Sequence, residues 1–158
     1  MINGKKLIEV SLPLEAINKE SAREKSIRHG HPSTLHLWWS RKPLATCRAV
    51  LFASLVDDPG EYLEGDAVEK ERQRLFNLIE DLVKWENTGN EQVINAARLE
   101  IARSVARQKG MTLPAGIAPE QVNAFLAEHA PPVADPFAGG SSIPLEAQRL
   151  GFKAYAGD

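Results

Sequence analysis

The residues with the clearest chemical potential lie near the end of the sequence, between positions 133 and 158. A short apolar run at 133–135 stops at Asp135 and a proline, as a buried parallel strand does. Small and turn-forming residues follow it, together with one aromatic: Phe137, Ala138, Gly139, Gly140 and Ser141. The two glycines allow the backbone to turn sharply and to come close to a ligand.

The residues after this loop predict a helix and a second strand. Ser142 is placed to cap the helix, Pro144 is tolerated in its first turn, and Gly151 is placed to end it. Residues 152–156 are then expected to form a second strand, with Asp158 near its carboxyl end. The segment therefore predicts one βαβ unit with a ligand loop at its first turn.

Such a unit is suited to nucleotide binding. Backbone N–H groups of the loop and of the helix N-terminus favour a negatively charged or polar group. Asp158 follows Asp135 by 23 positions (158 − 135), where an acid can hold a ribose diol through two hydrogen bonds. The alternative is a glycine turn that only links a strand to a helix.

The string D-P-F-A-G-G-S closely resembles the cofactor loop of the amino-methylating DNA methyltransferases, whose pattern is D-P-F-x-G-x-G followed by a helix. The resemblance implies S-adenosylmethionine as cofactor, with its methionine end over Phe137–Gly140 and its ribose on Asp158. This chain has Ser141 where the family has its last loop glycine. A side chain there either weakens binding or points to solvent.

A second segment, 31–44, leads into an apolar helix. Ser40 is a candidate cap, Pro43 suits the first turn, and the helix is expected to run to about Val56. Its apolar stripe at helical spacing consists of Leu44, Cys47, Val50, Leu51 and Leu55. In the same methyltransferases an H-P-x-x-K-P-L segment leads into a helix that helps to close the cofactor pocket. The resemblance therefore assigns Lys42 and Pro43 to the cofactor site.

The two strings RHGHPSTLHLWWSRKPLATCRAVLFASLVDDP and DPFAGGSSIPLEAQRLG together resemble the N-terminal region of large adenine-specific DNA methylases, which are often encoded beside phage-defence genes. That region carries a domain of unknown function, and the resemblance covers nearly the whole chain. It implies DNA as substrate and adenine N6 as the methylated atom. It divides the chain into a methylase-associated region (1–60), a helical insertion (61–130) and the first βαβ unit of the core (131–158).

Residues 19–48 carry a net charge of +5 (7 − 2), with tryptophans among the basic residues. Basic side chains beside aromatic rings suit a phosphate backbone or a stacked base. The candidate DNA contacts are Arg28, Trp38, Trp39, Arg41 and Arg48. In the alternative interpretation the basic residues form a solvated face and one tryptophan belongs to the core, or one tryptophan lines the cofactor pocket.

Composition bounds the class of protein. The 158 residues have a net charge of −2, which excludes a uniformly basic nucleic-acid binder but not a local basic face. The single cysteine suits a reducing compartment, and no apolar stretch has the length of a membrane span, so we expect a cytoplasmic protein without membrane contact. The spacing of His29, His31, His36 and Cys47 matches no common zinc pattern, and we predict no metal site.

The rest of the sequence is mainly helical in pattern. Residues 7–10 could form a strand or an ordered arm, and residues 13–26 a surface helix with Leu14, Ile17 and Ala22 on a thin apolar face. Helices are predicted over 66–86, from Glu91 to Lys109 and from Pro119. The predicted fold class is α/β: a mostly helical region and insertion leading into the first βαβ unit of an incomplete Rossmann-like class I methyltransferase fold.

Transfer of a methyl group to a base amine requires a polar acceptor and a stacking aromatic, which the family supplies in a D/N/S-P-P-Y/F/W motif. The nearest string here, Ala130-Pro131-Pro132-Val133, has neither group. We therefore expect an N-terminal fragment of a DNA methyltransferase that is inactive alone and needs the remaining core or a second subunit. The alternative is a non-catalytic module of a phage-defence system that binds DNA or a protein.

Overall fold

The computed structural model describes residues 4–26 and 42–157. The described part of the chain is mostly helical and contains a small parallel sheet. Its elements, in chain order, are α1 (Leu7–Val10), α2 (Leu14–Ser26), α3 (Leu44–Leu55), α4 (Asp66–Val83), α5 (Glu91–Gln108), α6 (Pro119–His129), β1 (Val133–Asp135), α7 (Ser142–Arg149) and β2 (Ala154–Ala156). Single 3-10 turns lie at Pro59–Glu61 and Trp85–Asn87.

Helix α3 lies at the centre of the fold and contacts α1, α2, α4, α5 and α7. Three of its buried residues are alanines, at positions 45, 49 and 53, which allow the neighbouring helices to approach closely. Because several helices surround α3, its buried surface is not the single predicted stripe. Leu44 and Cys47 are buried as expected, but Val50 is 39% exposed, and Phe52 is fully buried in its place.

The helices of the predicted insertion form where their patterns indicate. The apolar stripe of α4 buries Leu75, Ile79 and Leu82, and the Asn90 side chain caps α5 by accepting a hydrogen bond from the Gln92 N–H at 3.1 Å. Gly110, with φ +65°, lies just beyond the end of α5. One hydrophobic core draws buried residues from all three predicted regions, including Phe52 and Leu150. The predicted domain boundaries stay a prediction.

Of the two alternatives for residues 7–10, a strand or an ordered arm, the strand is wrong, because these residues form the one-turn helix α1. Among the described residues, the extended pairing at this segment is a single antiparallel bridge between Lys6 and Asp57. Immediately afterwards the Glu9 carboxylate accepts a hydrogen bond from the Lys6 N–H at 2.9 Å, and the chain turns. Leu7 is fully buried, so this segment is anchored to the core by one side chain.

Helix α2 forms over the predicted residues, but its buried face differs from the predicted one. Ile17 is buried as expected, whereas Leu14 is 60% exposed and Ala22 is also exposed. Ser21 and Glu24 are buried instead. The reason is polar contact with α3: Ser21 Oγ lies 2.6 Å from Thr46 Oγ1, and the Glu24 carboxylate binds the first turn of α3.

The βαβ unit is present, so the α/β prediction is confirmed at that level. Strands β1 and β2 pair in parallel, with Val133 opposite Ala154 and Asp135 opposite Ala156, and α7 connects them. Gly151 ends α7 at φ +92°, where an added Cβ would lie 3.0 Å from Leu126 Cδ1. The second strand is shorter than predicted because Phe152 is buried in the core, ahead of the first paired residue. A complete Rossmann-like fold stays a prediction.

Candidate functional site

The loop between β1 and α7 is held against the end of β2 by backbone hydrogen bonds. The Ala138 N–H donates to the Gly157 carbonyl at 2.9 Å, and the Gly157 N–H donates to the Asp135 carbonyl at 3.0 Å. Within the loop, the Asp135 carboxylate accepts a hydrogen bond from the Phe137 N–H at 3.1 Å. The carboxyl ends of both strands and the glycine loop therefore lie side by side.

Two loop positions adopt the left-handed backbone conformation. They are Gly139, at φ +46°, and Ser141, at φ 57°. These correspond to the two glycines of the D-P-F-x-G-x-G pattern, whereas Gly140 occupies the variable position and is not left-handed. No described atom lies within 4 Å of a Cβ built on Gly139, so the left-handed backbone, and not a lack of room, is what favours glycine at this position.

The predicted helix cap is wrong by one residue. Ser141, not Ser142, occupies the N-cap position of α7, and its side chain makes no capping hydrogen bond within the described part of the chain. Capping requires extended backbone at the N-cap, and Ser141 is left-handed. Ser142 is the first helical residue and is buried, and its Oγ has no hydrogen-bond partner among the described residues.

Two aromatic side chains near the loop are exposed. Phe137 is 87% exposed and Tyr155, on β2, is 62% exposed. Ala134, the β1 partner of Tyr155, is exposed as well, so this face of the sheet is uncovered by the described residues. Exposed aromatic surface of this kind is available to a ligand or to another protein.

The start of α3 is fixed by a carboxylate from α2. Glu24 is buried, and its two oxygens accept hydrogen bonds from the Leu44 and Ala45 N–H groups at 3.0 and 3.1 Å. This negative charge satisfies two otherwise unpaired donors and opposes the positive end of the helix dipole. Pro43 occupies the N-cap position of α3, and its side chain has no oxygen that could accept these hydrogen bonds. Glu24 thus orients the segment that contains Lys42 and Pro43.

The Cys47 thiol, near the start of α3, interacts with charged groups on both sides of the candidate site. Burial, together with the nearby carboxylates of Glu146, Glu24 and Asp135, raises the pKa of the Cys47 thiol to about 11, while Lys42 opposes this shift. The thiol on α3 therefore interacts electrostatically both with Asp135 at the end of β1 and with Lys42 before α3. Since the thiol stays protonated at neutral pH, it is not a nucleophile.

The prediction that Arg48 contacts DNA is wrong in this structure. Its side chain is 1% exposed and forms an ion pair with Glu146, which is fully buried, at a distance of 2.6 Å between Nε and Oε2. Arg48 lies four residues after Leu44 and four before Phe52, on the same helix face as these two core residues. The four-residue spacing from Leu44 and Phe52 is the sequence signal that the Arg48 side chain points toward the core.

Part of the remaining positive charge is also paired. Arg23 forms ion pairs with Glu20 and Glu86 on the surface. The other predicted DNA contacts, Arg28, Trp38, Trp39 and Arg41, lie outside the described residues, as do Asp158 and the histidines at 29, 31 and 36. Of the predicted cofactor residues, the structure describes those in the loop together with Lys42 and Pro43.

The family comparison concerns the first half of the chain. Residues 11–78 match the sequence model of a family described as "Protein of unknown function (DUF1156)". This match includes α2, α3 and most of α4, and with them Glu24 and Arg48, but not the glycine loop. No curated protein and no solved structure matches the sequence.

No group of three or more His, Cys, Asp or Glu side chains in the described part of the chain could hold a metal ion. No helix in residues 4–26 or 42–157 has the length and apolar character needed to cross a membrane.

Proposed function

We propose that this chain is the cofactor-loop portion of an S-adenosylmethionine-dependent DNA adenine-N6 methyltransferase. One observation carries the proposal: the D-P-F-A-G-G-S string forms the turn of a parallel βαβ unit, and the two positions that the family fills with glycine are the two left-handed ones. The glycine pattern thus matches the backbone that it would have to build. The loop thus resembles the family's pattern both in its residues and in the positions of its left-handed backbone.

The loop residues fit such a cofactor. The first turn of α7 offers N–H groups that lack an intrahelical acceptor. Phe137 offers an exposed ring in the loop that leads into this turn. Asp135 is occupied in holding the loop through the Phe137 N–H, so its role would be to shape the site. When bound, S-adenosylmethionine supplies an electrophilic methyl group.

Two more groups complete the proposed site. Gly157 is fixed beside the loop by two backbone hydrogen bonds, and the residue after it is Asp158, which we propose holds the ribose. Lys42 and Pro43, at the start of α3, would close the opposite side of the pocket. The capped start of α3 and its packing against α7 support this assignment. The proposal concerns cofactor binding, since the family's catalytic motif is not among these 158 residues.

The second candidate is a non-catalytic DNA- or protein-binding module of a phage-defence system. The uncovered sheet face with Tyr155 and Phe137 favours a protein partner, either the remaining methyltransferase core or a second subunit. The burial of Arg48 removes one of the proposed DNA contacts. Ser141 in place of the family's glycine also favours this candidate, since the left-handed position is retained while the residue that suits it best is lost.

Calorimetric titration of the 158-residue chain with S-adenosylmethionine separates the two candidates. The proposal predicts saturable binding that weakens about tenfold or more in Asp158→Ala, because two hydrogen bonds to a charged acceptor are lost. Glu64→Ala removes an exposed acid from a loop and serves as the control with an equal change in charge. No binding by a chain that unfolds cooperatively would contradict the cofactor proposal. Binding of a DNA duplex by that same chain would support the second candidate.

A further inference from the structure

The helix that follows the glycine loop is held by a buried ion pair. Arg48 on α3 donates from Nε to Glu146 Oε2 on α7 at 2.6 Å, and the two side chains are 1% and 0% exposed. Arg48 also donates from Nη1 to the Leu82 carbonyl at the end of α4, at 2.6 Å. One guanidinium therefore connects α7 to both α3 and α4.

A second set of contacts fixes the other end of α7. Arg149 donates from Nη1 to the Thr88 carbonyl at 2.9 Å, and the Arg149 carbonyl accepts hydrogen bonds from Arg98 on α5 at 3.0 and 2.7 Å. Helix α7 has only eight residues and begins directly after Ser141. Fixing its middle and its end therefore determines where the preceding loop lies.

The ion pair is poorly arranged for stability alone. Glu146 Oε1 is buried and has no hydrogen-bond partner within the described residues. A buried acceptor that is left unpaired is unfavourable, and apolar residues of similar size often stabilise a core as well as a buried ion pair does. What an apolar pair does not reproduce is the directional bond that fixes the angle and register of α7 against α3. The structure therefore indicates a role in geometry.

We propose that Arg48 and Glu146 are positioning residues for the glycine loop. By fixing α7 against α3 and α4, they hold the backbone of residues 137–141 in its left-handed turn conformation beside the end of β2, where a ligand of the loop would bind. That this ligand is S-adenosylmethionine rests on the proposed function, whereas the positioning of the loop does not. The residue that sequence patterns assign to DNA thus acts inside the protein, on the loop.

The test uses the double variant Arg48→Met with Glu146→Leu. Arg48→Met leaves the buried Glu146 with only Arg149, whose Nε lies 3.8 Å from Oε2, and Glu146→Leu leaves the buried Arg48 without a carboxylate. Each single variant is therefore expected to lower the melting temperature strongly. The double variant removes both charges, so it is expected to unfold cooperatively with a melting temperature near that of the wild type. It therefore separates positioning from stability, even if neither single variant folds.

Hydrogen exchange of the Ala138 and Ser141 amides is the first readout, since both are hydrogen-bonded within or beside the loop. Positioning predicts at least tenfold faster exchange at these amides in the double variant, with unchanged exchange at Ile101 in the core of α5. If the Ala138 and Ser141 amides of the double variant exchanged at the same rates as in the wild type, the inference would be overturned. The matched control is Arg72→Met with Asp58→Leu, which removes a partly buried ion pair outside α7 and should leave the loop amides unchanged.

The affinity for S-adenosylmethionine is the second readout, with an expected loss of at least tenfold in the double variant and less than twofold in the control. If the wild-type chain does not bind S-adenosylmethionine, the proposed function fails, and the exchange comparison still decides whether the pair positions the loop. If the wild type binds and the double variant binds equally well, the positioning inference fails and the proposed function stands.

Discussion

Ser141 is the only described non-glycine residue with a positive φ, and replacing it with glycine is expected to stabilise the protein. Its backbone, at φ 57° and ψ 24°, lies in the left-handed region that L-residues avoid because Cβ approaches the next carbonyl oxygen. Its side chain is exposed and makes no capping hydrogen bond within the described part of the chain. Ser141→Gly therefore removes strain without removing a contact seen in the structure.

The size of the effect follows from two opposing terms. A non-glycine residue in the left-handed conformation costs about 1–2 kcal/mol relative to glycine. Glycine in turn destabilises the fold by about 0.4–1 kcal/mol, because it increases the conformational entropy of the unfolded chain. The net expectation is a gain of about 0.5–1 kcal/mol in the free energy of unfolding, which corresponds to a melting temperature higher by roughly 1–4 °C for a domain of this size.

Urea unfolding at equilibrium measures this change, and two alanine variants isolate its cause. A Cβ at Gly139 or at Gly89 would meet no described atom within 4 Å, but only Gly139 is left-handed. Gly139→Ala is thus expected to destabilise by about 0.5–1 kcal/mol. Gly89→Ala is expected to be neutral or to stabilise by up to about 1 kcal/mol. A loss of stability in Ser141→Gly, or equal effects of the two alanine variants, would refute the reasoning.

Three other perturbations test contacts around the site. Glu24→Gln should lower the free energy of unfolding by about 1–3 kcal/mol through weaker capping of α3, while Glu15→Gln on the exposed face of α2 should change it by less than about 0.5 kcal/mol. Although burial opposes ionisation of Asp57, hydrogen bonds from Lys6, Gln108 and Arg107 hold its pKa below the ordinary value. Its carboxylate therefore stabilises the fold at pH values above the pKa of the unfolded state. The difference in free energy of unfolding between wild type and Asp57→Asn should become smaller as pH falls below about 4. A difference that does not depend on pH would contradict the stabilising role of the Asp57 carboxylate. Cys47 should react with a thiol reagent at pH 8 only after unfolding, since burial raises its pKa to about 11, and rapid labelling of the native protein would contradict that placement.

Features set by local sequence were predicted well. Periodic apolar residues and terminal glycines gave α4, α5, α6 and the βαβ unit, because these signals act within a few residues of the elements they define. Of the two left-handed positions in the loop, Gly139 agrees with the sharp turn predicted from the glycines, whereas the left-handed backbone of Ser141 was not predicted.

Features that depend on distant partners were missed. Arg48 was assigned to DNA because it belongs to the basic run at 19–48, and its partner Glu146 lies 98 residues away in sequence. Glu24 was not recognised because its hydrogen bonds run to the backbone of another helix, 20 and 21 residues later. Tertiary packing decides whether these charges are buried. The spacing of residues within one helix gives only part of that information.

The most direct test of the central claim is a titration of the isotopically labelled chain with S-adenosylmethionine, followed through its backbone amide resonances. The cofactor-loop assignment predicts saturable shifts at Phe137, Gly139, Gly140 and Gly157 and in the first turn of α7. Resonances around the cavity of about 530 Å³ lined by residues 111–117 should stay in place. Shifts confined to that cavity, or no shifts in a folded chain, would contradict the assignment of the glycine loop as the cofactor site.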